Sequence, residues 1–278
     1  MNIALVSVIH PQDNDIIDFM LVYYYNLGIR NYYLMLHKAD RVLRDISFVF
    51  ERDYDVRVSW YFNDKDEHNH DENVKVLTDI ALRDGMDWII GSDADELIVL
   101  KQHKNIENFL QEYNILETVV LHFKWIDYRA ETDVSENAFA NMRYRCKEYM
   151  DITDKGWIKS SGKFSQGMEF ITGFHDISGC ENIVEVCPEQ AFYAHFPERN
   201  FKQYEQKTLL QRKNWLRRYG FFYLDKDLEE NPDYLKQIWP DRLITTNGQR
   251  QVCNNDKSLK SENKMEYFLD PINPEMFK

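Results

Sequence analysis

Residues 86–100 read MDWIIGSDADELIVL. Trp88, Ile89 and Ile90 form a short apolar run, three acids follow (Asp93, Asp95, Glu96), and Leu97, Ile98, Val99 and Leu100 form a second apolar run. Short runs rich in β-branched and aromatic residues predict buried strands. Residues two apart on a strand face the same way, so this reading aims Asp93 and Asp95 at one spot and turns Ala94 elsewhere. Two carboxylates aimed at one point repel unless a proton or a cation sits between them. A hard divalent ion with oxygen ligands suits such a pair. A solvated acidic turn is the plainer alternative.

Upstream of this stretch the pattern repeats. Strands are predicted over 3–9, 32–36 and 56–62. Helices are predicted from a cap at Asp13 or Asn14 to about Leu27, through Val42, Leu43, Ile46, Val49 and Phe50, and over 73–82. Gly28 is a fitting stop for the first helix. Strand and helix in alternation imply parallel pairing with helical crossovers, and ligands in such sheets sit at the carboxyl ends of the strands. Those ends are 10–15, 37–40 and 63–66, with the acids following the next strand. The polar segment 63–72 carries His68 and His70 beside acids, a pattern that could hold a metal but reads better as a solvated loop.

The segment 83–100, with its DADE core, resembles the DxD region of family 2-like GT-A glycosyltransferases of bacterial polysaccharide synthesis. The resemblance covers residues 1 to about 210. It implies an α/β fold of GT-A type, Rossmann-like, with a mixed and mostly parallel sheet flanked by helices. It implies a catalytic domain over 1–210, followed by a helical extension over 211–278 that packs on it. It also implies Mn²⁺ or Mg²⁺ held by Asp93 and Asp95, with His195 as a further ligand. His10 and Asp40 become candidates for the nucleoside, and Asn73 and Lys75 for the donor. The Lys-Asn-Glu letters of the family's first loop are absent here, where HPQDND stands at 10–15.

Past the acids, a short helix is expected over 105–113, a strand over 118–123, and a helix over 134–150. Trp125 stands where relatives often carry a Trp, followed here by IDYR at 126–129 in place of their FGS-like turn. Residues 162–179, GKFSQGMEFITGFHDISG, suit an irregular segment near a site. In relatives a Lys and then a His occur near this point, met by Lys163 and His175. An inverting enzyme needs a carboxylate base. Asp176 is the first choice and Glu169 the second, with His175 able to orient or replace either.

His195 ends a strand-like run, and the letters after it resemble the family's ending, met by His195, Arg199, Tyr204 and Lys207. This makes Arg199 and Lys207 candidates for the diphosphate. Residues 199–218 hold seven basic residues and one acid in a chain whose net charge is −13. Such a basic, aromatic helix can bind diphosphate, an anionic acceptor or a membrane surface. The expected arrangement is an ordinary surface helix that docks its apolar stripe.

The strongly acidic balance argues against nucleic acid as a partner. No apolar run approaches the ~20 residues that span a bilayer, and the N-terminal apolar run reads as a first strand and not as a signal peptide. Four cysteines without C-x-x-C pairing fit reduced thiols. The expected location is cytoplasmic, with the basic helix a candidate for peripheral contact with the inner membrane face. The expected function is transfer of a sugar from a nucleotide-sugar, UDP-linked for preference, to a hydroxyl of a glycan or lipid-linked acceptor, with inversion, in surface polysaccharide synthesis. The alternatives are a sugar nucleotidyltransferase, a DxD phosphatase of the haloacid dehalogenase type and an inactive sugar-binding module. A nucleotidyltransferase lacks its Gly-rich phosphate loop here. The phosphatase wants Thr or Val where Leu97 stands.

Overall fold

A computed structural model describes residues 1–64, 69–134, 137–146, 158–222, 224–231, 233–243 and 267–278. The chain divides into two compact units: 1–126 with 149–195 and 273–278, and 127–148 with 196–272.

The first unit begins as its sequence pattern suggests. Strand β1 (Ile3–Ile9) is followed by helix α1 (Ile17–Asn26), β2 (Asn31–His37), α2 (Arg41–Asp53), β3 (Arg57–Asn63), α3 (His70–Arg83) and β4 (Trp88–Gly91). The four strands lie in the order β4-β1-β2-β3, all parallel. Every residue of β1 is buried, because helices or hairpins cover both faces of a parallel sheet. Ala4, Val6 and Val8 pack on one side with Val74, Leu77 and Ala81 of α3. Asp40 caps α2 by accepting from the Leu43 amide at 2.9 Å, and Asn69 caps α3 by accepting from Glu72. The cap expected for α1 at Asp13 or Asn14 lies one turn too early. Pro11–Asp13 form a separate 3-10 turn, in which the His10 amide donates to Asp13, and α1 starts at Ile17.

The sheet then changes direction. Strand β8 (Ile158–Lys163) runs antiparallel between β4 and β6 (Val119–Arg129). Strand β5 (Glu96–Leu100) leaves β4 and pairs instead with β12 (Ala191–His195), antiparallel, with His195 opposite Glu96. Helix α4 (Ile106–Leu110) precedes β6. After β8 comes a hairpin of β9 (Glu169–Ile171) and β10 (Asp176–Ser178), then β11 (Ile183–Glu185), which pairs with β6. Residues 162–179 are thus a strand end and a hairpin. Gly167, Gly173 and Gly179 hold positive φ at its bends. The chain's last residues return to α1, where Phe277 stacks on Tyr23 at 5.4 Å and Asn26 donates to the Met276 and Lys278 carbonyls.

The second unit holds the end of β6, helix α5 (Ala138–Asn141), β7 (Tyr144–Cys146), α6 (Phe201–Tyr219), α7 (Asp225–Glu230), α8 (Tyr234–Ile238) and β13 (Tyr267–Leu269). The helix expected over 134–150 is not formed across its described part. Met142 leaves helical geometry after one turn, and residues 144–146 pair with both β6 and β13. Mixed charge had masked a segment whose backbone partners come from elsewhere in the chain. Residues 147–150 lie outside the described residues. Tyr204, Phe222, Leu224, Tyr234, Leu235 and Trp239 form the local core, and the Trp239 indole donates to Asp133 at 2.6 Å.

Candidate functional site

Asp93 and Asp95 sit in the turn between β4 and β5, and Glu96 opens β5. The Glu96 amide donates back to the Asp93 carbonyl at 3.1 Å. The alternation that would aim Asp93 and Asp95 together therefore does not apply, and the two carboxylates find different neighbours. Ser92, fully buried, accepts from the Tyr24 hydroxyl at 2.9 Å and donates to the Glu96 carbonyl at 3.0 Å. Tyr23 donates to the Ile98 carbonyl at 2.8 Å. Two adjacent tyrosines of α1 thus hold the backbone on either side of Glu96.

Asp93 is bonded through both oxygens. His70 Nε2 donates to Oδ1 at 3.1 Å, and Lys159 Nζ donates to Oδ2 at 2.7 Å. Lys159 also reaches Glu96 Oε1 at 2.9 Å, and the other Glu96 oxygen accepts from the Asp93 amide at 3.3 Å. Lys159 and Glu96 are each only 1% exposed. Burial works to raise the Asp93 pKa, but the ammonium of Lys159 and the His70 bond outweigh it and hold the carboxyl well below its usual range. Burial raises the Glu96 pKa, with Asp93 and Asp95 adding to it against the opposing pull of Lys159. Burial alone would lower the Lys159 pKa, yet its two carboxylates keep it above its usual value.

Asp95 lies on the other side of the turn. Its Oδ2 stands 3.8 Å from His195 Nε2. Asp95, Glu96 and His195 each offer one ligand atom, and these lie within 4.8 Å of one another. Two carboxylates and an imidazole at that separation form a donor set suited to a divalent ion, so the residues present fit one.

Trp125 stacks on His195 with ring centroids 4.1 Å apart and meets the edge of His175 at 5.7 Å. Lys159 Nζ is 5.7 Å from the same indole. His175 Nδ1 donates to the Ile158 carbonyl at 2.7 Å, which leaves the lone pair on Nε2. Burial, helped by nearby Lys159, pushes the His175 pKa down to about 4. The ring is neutral at physiological pH. Phe174, just before it, lies against Gly91, where any Cβ would come within 2.2 Å of the Phe174 ring. Glycine at the end of β4 is what lets this loop reach the acids.

The other sequence candidates are placed as follows. His10 and His37, at the ends of β1 and β2, meet edge to face at 5.0 Å. Asp40 caps α2, and its second oxygen accepts from Asn14 at 2.8 Å. Asn73 is buried in α3 and accepts from the Asn63 amide group at 2.9 Å, while Lys75 is paired with Glu169. Asp176 accepts from His122 Nε2 at 3.3 Å, and His122 Nδ1 is bonded to Glu185 at 3.0 Å. Lys163 donates to the Asn114 and Leu116 carbonyls and lies opposite Trp88, at the start of β4. Lys159, four residues earlier in β8, is the lysine that reaches the acids. Arg199 and Lys207 belong to the second unit. Arg199 is buried and donates to the Phe196 carbonyl at 3.2 Å, and Lys207 is half-buried on α6. His68 lies outside the described residues.

Lys159, Glu96 and His70 are the site residues that sequence reasoning passed over. Glu96 stood in the acidic run and was visible there. His70 carried a signal only as part of the pair with His68. Lys159, in IKSSGK at 158–163, carried none, because strand register alone brings it to the acids.

No family profile matches the sequence, and no curated protein matches it. Several solved structures are similar. TarS 1-349 of S. aureus in complex with UDP-GlcNAc matches at 9% identity and a TM-score of 0.44, over 86% of this chain and 80% of that one. The same protein in complex with UDP matches at 10% identity and 0.39, over 87% and 82%. A putative glucose-1-phosphate thymidylyltransferase of Bacillus anthracis, in complex with a sucrose, matches at 8% and 0.39, over 75% and 94%. Every score is below one half, and these likenesses identify no reaction.

Proposed function

We propose that the chain is a glycosyltransferase that moves a sugar from a nucleotide-sugar, UDP-linked for preference, to a hydroxyl of a glycan or lipid-linked acceptor in surface polysaccharide synthesis. One observation carries this reading. A turn at the carboxyl end of a parallel strand gathers Asp93, Asp95 and Glu96 with Lys159, His195, His175 and Trp125. That end of the sheet is where α/β folds take their ligands.

Asp95 and His195, with Glu96, would hold a divalent ion. When bound, such an ion would neutralise charge on the departing diphosphate. Lys159 keeps the acid turn in place and offsets part of its charge. Trp125 offers an apolar face for a sugar ring beside His195. Among the candidate bases, His175 is the one set against Trp125, with its Nε2 lone pair available by tautomer. Nε2 would take the acceptor hydroxyl proton as the new bond forms, and attack from that side would invert the anomeric centre. A base held near 4 is weak, so it accepts the proton only late, once the attacking oxygen has become acidic. Asp176 is the second candidate, oriented by His122.

The test is a thermal-shift panel of UDP, GDP, CMP and their sugars, with and without Mn²⁺, on the wild type and Asp95→Asn. Stabilisation by a UDP-sugar that needs both metal and Asp95 supports the reading. The absence of any nucleotide effect overturns it. Anomeric analysis of the product then separates inversion from retention.

A further inference from the structure

Strand β3 is the last strand at its end of the sheet, and among the described residues no strand pairs with its outer edge. A bare edge presents unpaired backbone groups to other chains, and proteins commonly blunt it with charge, proline or a bulge. RVSWYFN at 57–63 has none of these past Arg57, and its register with β2 is unbroken over all seven residues. Val58, Trp60 and Phe62 share the face toward α2. Val58 lies opposite Tyr32, whose ring meets Phe50 of α2 at 5.2 Å, and the Arg44 guanidinium of α2 lies 4.5 Å over the Phe62 ring. Arg44, Phe48 and Glu51 follow one another on α2 at spacings of four and three, so they form one exposed stripe above this edge. Phe48 is 73% exposed and Phe62 48%. Among the described residues neither Arg44 nor Glu51 stands in an ion pair.

This surface matches itself. A crossover helix runs back along the strands it joins, and Phe48 lies one turn beyond Arg44, about 6 Å along α2 or about two residues of strand. With Arg44 over Phe62, Phe48 therefore stands level with Trp60, the middle residue of β3. A two-fold axis at that level would pair two copies of β3 antiparallel, with Arg57 opposite Asn63, Val58 opposite Phe62 and Ser59 opposite Tyr61. The same axis would set the two α2 helices antiparallel, Phe48 against Phe48, with Arg44 of each copy beside Glu51 of the other. A basic residue before the central Phe and an acidic one after it make the charges complementary at both contacts.

We propose that β3 and the flank of α2 above it form a two-fold interface with a second copy of this chain. The backbone edge supplies the hydrogen bonds, Phe48 and Phe62 supply the apolar centre, and the Arg44–Glu51 contacts fix the antiparallel register. The proposal does not depend on the reaction at the acid turn.

Sedimentation velocity of the full chain across micromolar concentrations tests it. The expected result is a reversible monomer–dimer equilibrium. Arg44→Glu alone or Glu51→Arg alone should weaken association about tenfold or more, because each sets like charges together at both contacts. The two combined should restore it, since the swap returns opposite charges to each contact. Phe48→Glu should abolish the dimer while leaving the melting temperature near that of dilute wild type, because the side chain is exposed. Deuterium exchange at the amides of 57–63 should slow as the dimer forms. A chain that stays monomeric overturns the proposal, as does a dimer that Phe48→Glu leaves intact or a charge swap that fails to restore association. A monomer that captures a different protein on this face overturns the second copy as its occupant.

Discussion

The two sides of the acid turn are built differently. On one side Asp93 and Glu96 share a buried ammonium. Every carboxylate oxygen of the pair has a partner, and a buried lysine bridges them. On the other side Asp95 stands 3.8 Å from His195, beside the Trp125 ring. Acids adjacent in sequence thus divide into a pair bridged by a buried lysine and a carboxylate set toward His195. Proximity in a motif does not equal a shared role, because each carboxylate answers to the partners that tertiary contacts bring.

Removing the bridge should have the largest effect. Lys159→Met leaves a buried glutamate beside an ionised aspartate, and breaking a buried ion pair this way costs about 3–5 kcal/mol. Urea unfolding should show that loss, and stability should partly recover at acidic pH as Glu96 protonates. A variant as stable as wild type would show that the bridge does not hold the pair.

The Asp95 side should respond the other way. Asp95→Asn should leave the unfolding midpoint nearly unchanged, yet lower transferase turnover by at least about 100-fold, the upper end of the cost of disturbing a group that supports a metal. Turnover measured with a UDP-sugar checks this, and a large stability loss would erase the contrast between the sides.

A smaller effect is expected at the support of the Asp95 side. Gly91→Ala forces Phe174 away from the end of β4, at about 1–3 kcal/mol for overpacking. Thermal melting reads the cost, and a parallel loss of activity would show that Phe174 positions His175.

The last is a pH effect. His175 has a folded pKa of about 4 against its usual 6.5, so the unfolded chain binds the proton more tightly. This contribution to stability is complete above pH 6.5 and is lost as pH falls from there toward 4. His175→Gln should flatten that part of the stability profile. An unchanged slope would place the titration elsewhere.

Much of the first unit was legible in its letters. The apolar runs at 3–9, 32–36 and 88–90 are strands, and the helical spacings between them are helices, because local pattern carries local periodicity. The acids after Trp88–Ile90 pointed to the turn that organises the site, and His195 was visible as a histidine ending a run. Legibility failed where backbone partners are distant. The segment after 134 reads as a helix until β6 and β13 take its hydrogen bonds. Helix α6 reads as docked by an apolar stripe, and Phe201, Tyr204 and Leu216 do join the local core, with Trp215 against Phe222.

By itself the sequence determined the alternation of strand and helix, the parallel first half of the sheet, and three acids at the end of a buried strand. Those follow from side-chain pattern within a dozen residues. Only the tertiary structure decided which two acids a lysine bridges and which one faces His195. The β4–β8 register brings Lys159, and not Lys163, to Asp93 and Glu96, and the β5–β12 ladder sets His195 across from Glu96. Register is settled by which buried faces pack together over the whole sheet, and a one-residue slip would send each of these side chains to the opposite face.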